Sequence, residues 1–156
     1  MASFDKLKTR RRSDYYFMLE YRTRWSDNDQ YAHMNNSIYN FLYDSVVNTY
    51  LIQHCGLRPV DGDQYGMIVH SHNDYFSSIS FPAVAELAMR VNKLGSSSVT
   101  YEIALFEKGR DEVKSVGELV HVFVDRATGR PGAKGMNETM RCGLERILVG
   151  AHKGKL

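Results

Sequence analysis

The chain is poor in the features that mark secreted, fibrous or membrane proteins. Its 156 residues include only 2 cysteines, 3 prolines and 1 tryptophan. Cys55 and Cys142 form no metal-ligand spacing and no disulfide framework, so a reducing, cytoplasmic setting is expected. No apolar run approaches the ~20 residues needed to span a membrane, and no secretory signal is visible. Excess charge of one sign is also missing: 20 Lys and Arg stand against 18 Asp and Glu, a net +2 that gives no reason to expect nucleic acid. The one basic cluster is Lys6, Lys8, Arg10, Arg11 and Arg12. It predicts a solvated, flexible tail over 1–14, with a mitochondrial presequence as the other reading of the same bases. What remains is ordinary for a globular protein, 43% hydrophobic and 24% charged, and long enough for one domain over 15–150 with a real core. A flexible C-terminus is expected over 151–156.

Patterning divides the chain into a strand, a long helix and a run of strands. Phe17, Leu19, Tyr21, Thr23 and Trp25 alternate with Met18, Glu20, Arg22 and Arg24, which predicts a strand with one polar face. From 36 to about 55 the pattern is helical, stopped by Gly56 with Pro59 soon after. Asn40, Asp44 and Asn48 form one narrow polar stripe on that helix, and apolar residues cover most of its remaining circumference. Such a helix is expected to be enclosed by other structure. Strands are expected over 67–75, 86–92, 99–106 and 116–124, the last with Val116, Val120, Val122 and Val124 on one face. The Gly95-Ser96-Ser97 and Lys108-Gly109-Arg110-Asp111 turns predict antiparallel hairpins. A short closing helix is expected over 137–149. A single sheet can meet such a helix only by curling around it, so the expected class is α+β.

The densest polar stretch joins the first strand to the helix: Trp25-Ser26-Asp27-Asn28-Asp29-Gln30-Tyr31-Ala32-His33-Met34-Asn35-Asn36. A carboxylate beside a helix N-terminus suits chemistry on a carbonyl, because unpaired N–H groups there can bind a developing oxyanion. On the loop alone, a cap or turn position is the favoured role for Asp29.

Three motifs go further. They are the Asp27-Asn28-Asp29 pair followed by His33-Met34-Asn35-Asn36 and Tyr39, then Gly95-Ser96-Ser97-Ser98-Val99-Thr100-Tyr101, then Phe123-Val124-Asp125-Arg126-Ala127-Thr128-Gly129-Arg130-Pro131. In this order, with the element pattern above, the chain resembles the hotdog-fold acyl-CoA thioesterases of the 4-hydroxybenzoyl-CoA thioesterase family over roughly residues 17–130. Ala32 stands where that family commonly has Gly. If the position requires positive φ, Ala costs on the order of 1 kcal/mol.

The resemblance implies a curved antiparallel sheet wrapped around one long helix, and hydrolysis of an acyl-CoA thioester to free acid and CoA. It implies a homodimer or homotetramer with sites at the interface, no bound cofactor beyond CoA as part of the substrate, and no metal. Asp29 matches the catalytic carboxylate, either as nucleophile toward the thioester carbonyl or as general base on water. The backbone N–H of Asn36 matches the oxyanion donor. Asp27, His33, Asn35 and Tyr39 fall to the loop and acyl pocket, and Asn73 or Asp74 to positioning water from the opposite subunit. Arg90, Lys93, Ser96, Ser97 and Ser98 are the candidates for CoA phosphates, with Arg126 and Arg130 behind them. Tyr31, Tyr39, Tyr43, Tyr75 and Phe76 suit an aryl or medium-chain acyl group. His70 and His72 share a strand face, but no third ligand stands at a convincing spacing, so no metal site is expected. Two competing functions remain: a hotdog hydratase or dehydratase, whose usual His–Asp or His–Glu arrangement is not found, and a non-catalytic acyl-CoA or acyl-carrier-protein binding module, for which Ala32 is the best argument.

Overall fold

The apolar residues Leu42, Tyr43, Val46, Val47, Tyr50 and Leu51 recur at helical spacing and are all buried, and the fold is built around them. The computed structural model describes residues 2–151. Its elements are α1 (Phe4–Lys8), β1 (Phe17–Arg22), α2 (Asn36–His54), β2 (Gln64–Tyr75), β3 (Val84–Leu94), β4 (Ser98–Glu107), β5 (Val113–Asp125) and α3 (Glu138–Glu145). All five strands pair antiparallel in one sheet of order β1-β3-β4-β5-β2. The two hairpins read from the turns join β3, β4 and β5, and β2 crosses to the far edge beside β5. The sheet curls around α2, whose buried stripe meets Leu87, Met89, Tyr101, Ile103, Leu119 and Phe123. Gly117 of β5 permits that approach, since a Cβ there would collide with the Tyr43 ring and Asn73 Oδ1. The class is α+β and the architecture is the hotdog fold.

Several boundaries differ from the sequence expectation. β1 ends at Arg22 because the Thr23 hydroxyl turns to the Ala83 carbonyl and residues Trp25–Asp27 close a 3-10 turn. β2 begins three residues early, at Gln64, paired with Asp125. α3 stops at Glu145. In β5 the valine face is the outer one, and Leu119, His121 and Phe123 fill the core side. The helix α2 is not enclosed on most of its surface: a sheet of five strands covers its buried stripe and leaves Phe41 69% and Ile52 49% exposed.

The basic segment is packed rather than loose, which corrects the expected tail. Leu7 of α1 is buried on the outer face of the sheet with Tyr15, Phe106, Val113 and Val116. Arg10 and Arg90 both pair with Glu102 of β4, at 2.7 and 3.0 Å, and the Tyr15 hydroxyl donates to the same carboxylate. Arg12 donates to Glu86 at 2.6 Å. These partners lie scattered along β3 and β4, so nothing local in the sequence revealed them. The segment expected at the C-terminus falls, beyond Ala151, outside the described residues. No helix among the described residues is long and apolar enough to cross a membrane.

Glu102 supports a first prediction. Burial alone would raise its carboxyl, but hydrogen bonds from Arg10 and Asn92 and the nearby Arg90 and Arg10 charges outweigh that and hold it below its ordinary value. It therefore binds protons more weakly folded than unfolded. Its stabilising contribution is complete above the unfolded value and is lost as pH falls through the lower folded one. Glu102→Ala strands two largely buried guanidinium groups, and is expected to cost about 3 kcal/mol, with less acid-induced loss of stability than wild type. Urea unfolding at neutral and acidic pH reads both. A variant as stable as wild type would contradict the arrangement.

Candidate active site

The β1–α2 loop is braced at both ends by its own polar residues. Asp27 is fully buried, accepting from the Tyr21 hydroxyl at 2.9 Å, the Arg24 N–H at 2.8 Å and the Arg24 guanidinium at 3.1 Å. Burial would raise its carboxyl, but these bonds prevail and hold it below the usual carboxylate range. Its carbonyl accepts from the Asn35 N–H at 2.8 Å. Asp27 is thus a loop anchor, the loop-ordering role expected of it. Asn28 Oδ1 accepts from the Phe81 N–H at 3.1 Å, tying the loop to the segment that leads into β3.

Between these braces the chain makes a tight turn. The Asp29 N–H donates to the His33 carbonyl at 2.7 Å, and Asp29 Oδ1 accepts from the Tyr31 N–H at 2.8 Å and the His33 N–H at 3.3 Å. Among the described residues no donor reaches Asp29 Oδ2. One carboxylate oxygen is therefore held by the turn and the other is not. Asn35 is the N-cap of α2, its Oδ1 accepting from the Ser37 N–H at 3.0 Å and the Ser37 hydroxyl at 2.8 Å. That cap joins the loop to the helix. Asn36 opens the helix, and among the described residues its N–H has no acceptor.

Ala32 sits at φ 62°, the left-handed conformation that its family position calls for. The strain of about 1–2 kcal/mol is partly offset by alanine's smaller unfolded-state freedom. Ala32→Gly should therefore stabilise the protein by up to about 1 kcal/mol, seen as a rise of about 2–4 °C in Tm. A fall in Tm would show that the turn does not hold this conformation.

A cavity of about 300 Å³ opens where this loop meets the end of β2, and Asp29, His33, Asn36, Tyr39 and Tyr75 line it. Tyr39 is buried, packs edge-on against Tyr75 at 5.0 Å, and has its hydroxyl pushed up to about 12 by that burial. His33 contributes its exposed ring to the rim. Met34 of the loop motif also lines the cavity, as do Ser77 and Ser78, which sequence reasoning missed because residues just past a strand end carry no periodic signal. Asn73 faces the helix, donating to Asn40 Oδ1 at 2.8 Å and standing 3.3 Å from the Tyr75 hydroxyl. Asp74 does not join it. The strand's period of two turns Asp74 to the outer face, 3.4 Å from His72 Nε2. A larger cleft of about 580 Å³, among Lys8, Arg10, Arg12 and Asp111, lies by the N-terminal segment and contains none of the loop residues.

The expected CoA-phosphate group is dispersed within one chain. Arg90 is locked in the buried Glu102 cluster, with a further bond to the Asp14 carbonyl, so it is not free to bind phosphate. Lys93, Ser96, Ser97 and Ser98 cluster at the β3–β4 turn, about 30 Å along the sheet from the Asp29 end, judged by ten residues of strand. That turn is tied down by the Arg141 guanidinium, which donates to the Gly95 carbonyl at 2.6 Å. Arg126 is held by the carbonyls of Gly62 and Pro59. His70 and His72, by contrast, gain a neighbour the sequence could not show, Glu118 of β5.

The fold is the hotdog, and Asp29 and Asn36, from the loop and the first turn of α2, line one of its cavities. The family model of the thioesterase-like superfamily matches residues 23–140, and the chain belongs to that superfamily. Among solved structures it is similar to PA5185 of Pseudomonas aeruginosa strain PAO1, at 41% identity over 88% of this chain and 95% of that one, with a TM-score of 0.85. More distant structures share the fold. SAV2348 of Staphylococcus aureus, solved in complex with CoA, has 17% identity, a TM-score of 0.77 and coverage of 84% and 82%. Slr0204 of Synechocystis, a 1,4-dihydroxy-2-naphthoyl-CoA thioesterase, has 11% identity, a TM-score of 0.73 and coverage of 82% and 94%. No curated protein matches the chain.

Proposed function

We propose that the chain is an acyl-CoA thioesterase of the 4-hydroxybenzoyl-CoA type, releasing free acid and CoA at the Asp29 cavity. One observation carries this: Asp29 and Asn36, whose N–H has no acceptor among the described residues, line the same cavity at the start of a helix. The helix N–H receives the carbonyl oxygen as it gains negative charge. Asp29 acts on the carbonyl carbon directly, or takes a proton from the attacking water. Tyr39 and Tyr75 form the apolar wall against which an aryl or medium-length acyl group packs. CoA enters with the substrate, and no further cofactor is called for. The free thiols Cys55 and Cys142 suit the cytoplasmic setting expected for it.

The working unit is a dimer. β2 is an edge strand whose Met67, Ile68 and Val69 are exposed, an unpaired row that a second copy would extend. Antiparallel pairing of two β2 strands sets the Gln64 end of one against the Tyr75 end of the other. The Lys93 and Ser96–Ser98 turn of the partner then approaches this chain's cavity, and CoA lies between them. Hydrolysis of a panel of aryl and alkyl acyl-CoAs, followed by release of the free thiol, tests the proposal. Turnover of at least one class supports it. Saturable acyl-CoA binding without turnover would instead identify a binding module.

A further inference from the structure

We propose that His70, His72 and Glu118 form a site for a divalent d-block cation of the Zn²⁺ class on the outer face of the sheet. The bulge between Ile68 and His70 sets the register so that His70, His72 and Asp74 of β2 pair with Val120, Glu118 and Val116 of β5. All of these occupy the outer face, because Asn73 and Tyr75 turn to the helix side. Glu118 therefore stands directly across the ladder from His72, far from it in sequence.

The three ligand atoms lie within 4.8 Å of one another, and His70 Nε2 is 3.9 Å from Glu118 Oε1. Bonds of about 2.0–2.1 Å in a tetrahedral site place ligand atoms roughly 3.3 Å apart. The contraction needed is small, and the His70 side chain, 56% exposed, is free to swing and supply it. Asp74 Oδ2, 3.4 Å from His72 Nε2, offers a fourth oxygen or a bond that orients the ring. Among the described residues neither Glu118 nor Asp74 has a lysine or arginine partner. Two carboxylates are thus gathered around two imidazoles with no competing cation. Two imidazoles plus carboxylate oxygen suit Zn²⁺, Co²⁺ or Ni²⁺ rather than the all-oxygen preference of Mg²⁺ or Ca²⁺. Every ligand comes from a strand fixed by its ladder, which holds such a site more accurately than a loop would. A bound ion would clip the edge strand β2 to β5 and stabilise the folded chain by mass action.

The site rests on its own ligand set, so it stands or falls independently of the thioesterase proposal. The test is titration of the untagged, metal-free full chain with Co²⁺ and then Zn²⁺, read by visible ligand-field absorption and by Tm. Expected are one Co²⁺ per chain with the strong absorption of a four-coordinate site, displacement by Zn²⁺, and a raised Tm. His72→Gln and Glu118→Gln should each weaken binding at least about tenfold, with unchanged melting in chelator. If either variant is misfolded, His70→Asn at the most exposed ligand reads the same loss. Absence of saturable binding, or binding of equal affinity in these variants, would overturn the site.

Discussion

Asp29→Asn should lower kcat for acyl-CoA hydrolysis by about 10²–10⁴-fold while leaving the protein folded and able to bind substrate. The substitution is chosen for what it keeps. Asparagine retains an Oδ1 that can accept from the Tyr31 and His33 N–H groups, so the turn is preserved. It removes the charge and basicity of Oδ2, the oxygen with no donor among the described residues. A role in which Asp29 only shapes the turn predicts little change in kcat, because those backbone bonds survive. The melting curve separates the two cases, since a structural loss lowers Tm and a chemical loss does not. Steady-state kinetics on wild type and variant, each checked by thermal unfolding, decides it. Undiminished kcat in the variant would remove Asp29 from the chemistry.

The second large effect comes from a backbone atom. Asn36→Pro should cost about 10²–10³-fold in kcat, roughly 3–4 kcal/mol of transition-state stabilisation, because proline has no N–H to offer the developing oxyanion. Ordinarily a proline in a helix confounds such a test, but here the position is the first residue of α2. That N–H has no acceptor among the described residues, and proline is favoured at the first helical position. Asn35 already has φ −61° and ψ 138°, the extended conformation that a following proline requires. Stability should therefore change little. Asn36→Ala keeps the N–H and removes only the side chain, so it should retain near wild-type turnover. Equal losses in the two variants would assign the effect to the side chain instead.

The elements were legible where they repeat. The 3.6-residue recurrence from Leu42 to Leu51 reflects burial on one face of α2, while the alternation in β3 and β4 separates the core face from an outer face that is itself largely covered, and the turn residues revealed the hairpins. The site loop was legible as a motif because its polar groups bond to neighbours a few residues away, as Asp29 does with Tyr31 and His33. What escaped depends on distant contacts. The basic residues Arg10 and Arg12 looked solvated because Glu102 and Glu86, their partners, lie 92 and 74 residues away. Arg90 looked available for phosphate for the same reason. Glu118 could not be matched to His72 before the β2–β5 register was known. Asp74 was misplaced by one step of the strand period, which is enough to move a side chain through the sheet. The exposed Phe41 and Ile52 show the opposite case: their apolar character fits the helix pattern, yet one chain does not cover them.

Asp29 and Asn36 are argued to act on the same carbonyl in the same step, and single-turnover hydrolysis tests that most directly. With enzyme in excess over an acyl-CoA that the wild type turns over, release of the CoA thiol reports the chemical step free of product release. The site geometry predicts that Asp29→Asn and Asn36→Pro both slow this step by at least about a hundredfold, while Asn36→Ala and Ala32→Gly stay near the wild-type rate. Single-turnover rates in Asp29→Asn and Asn36→Pro equal to wild type would contradict it.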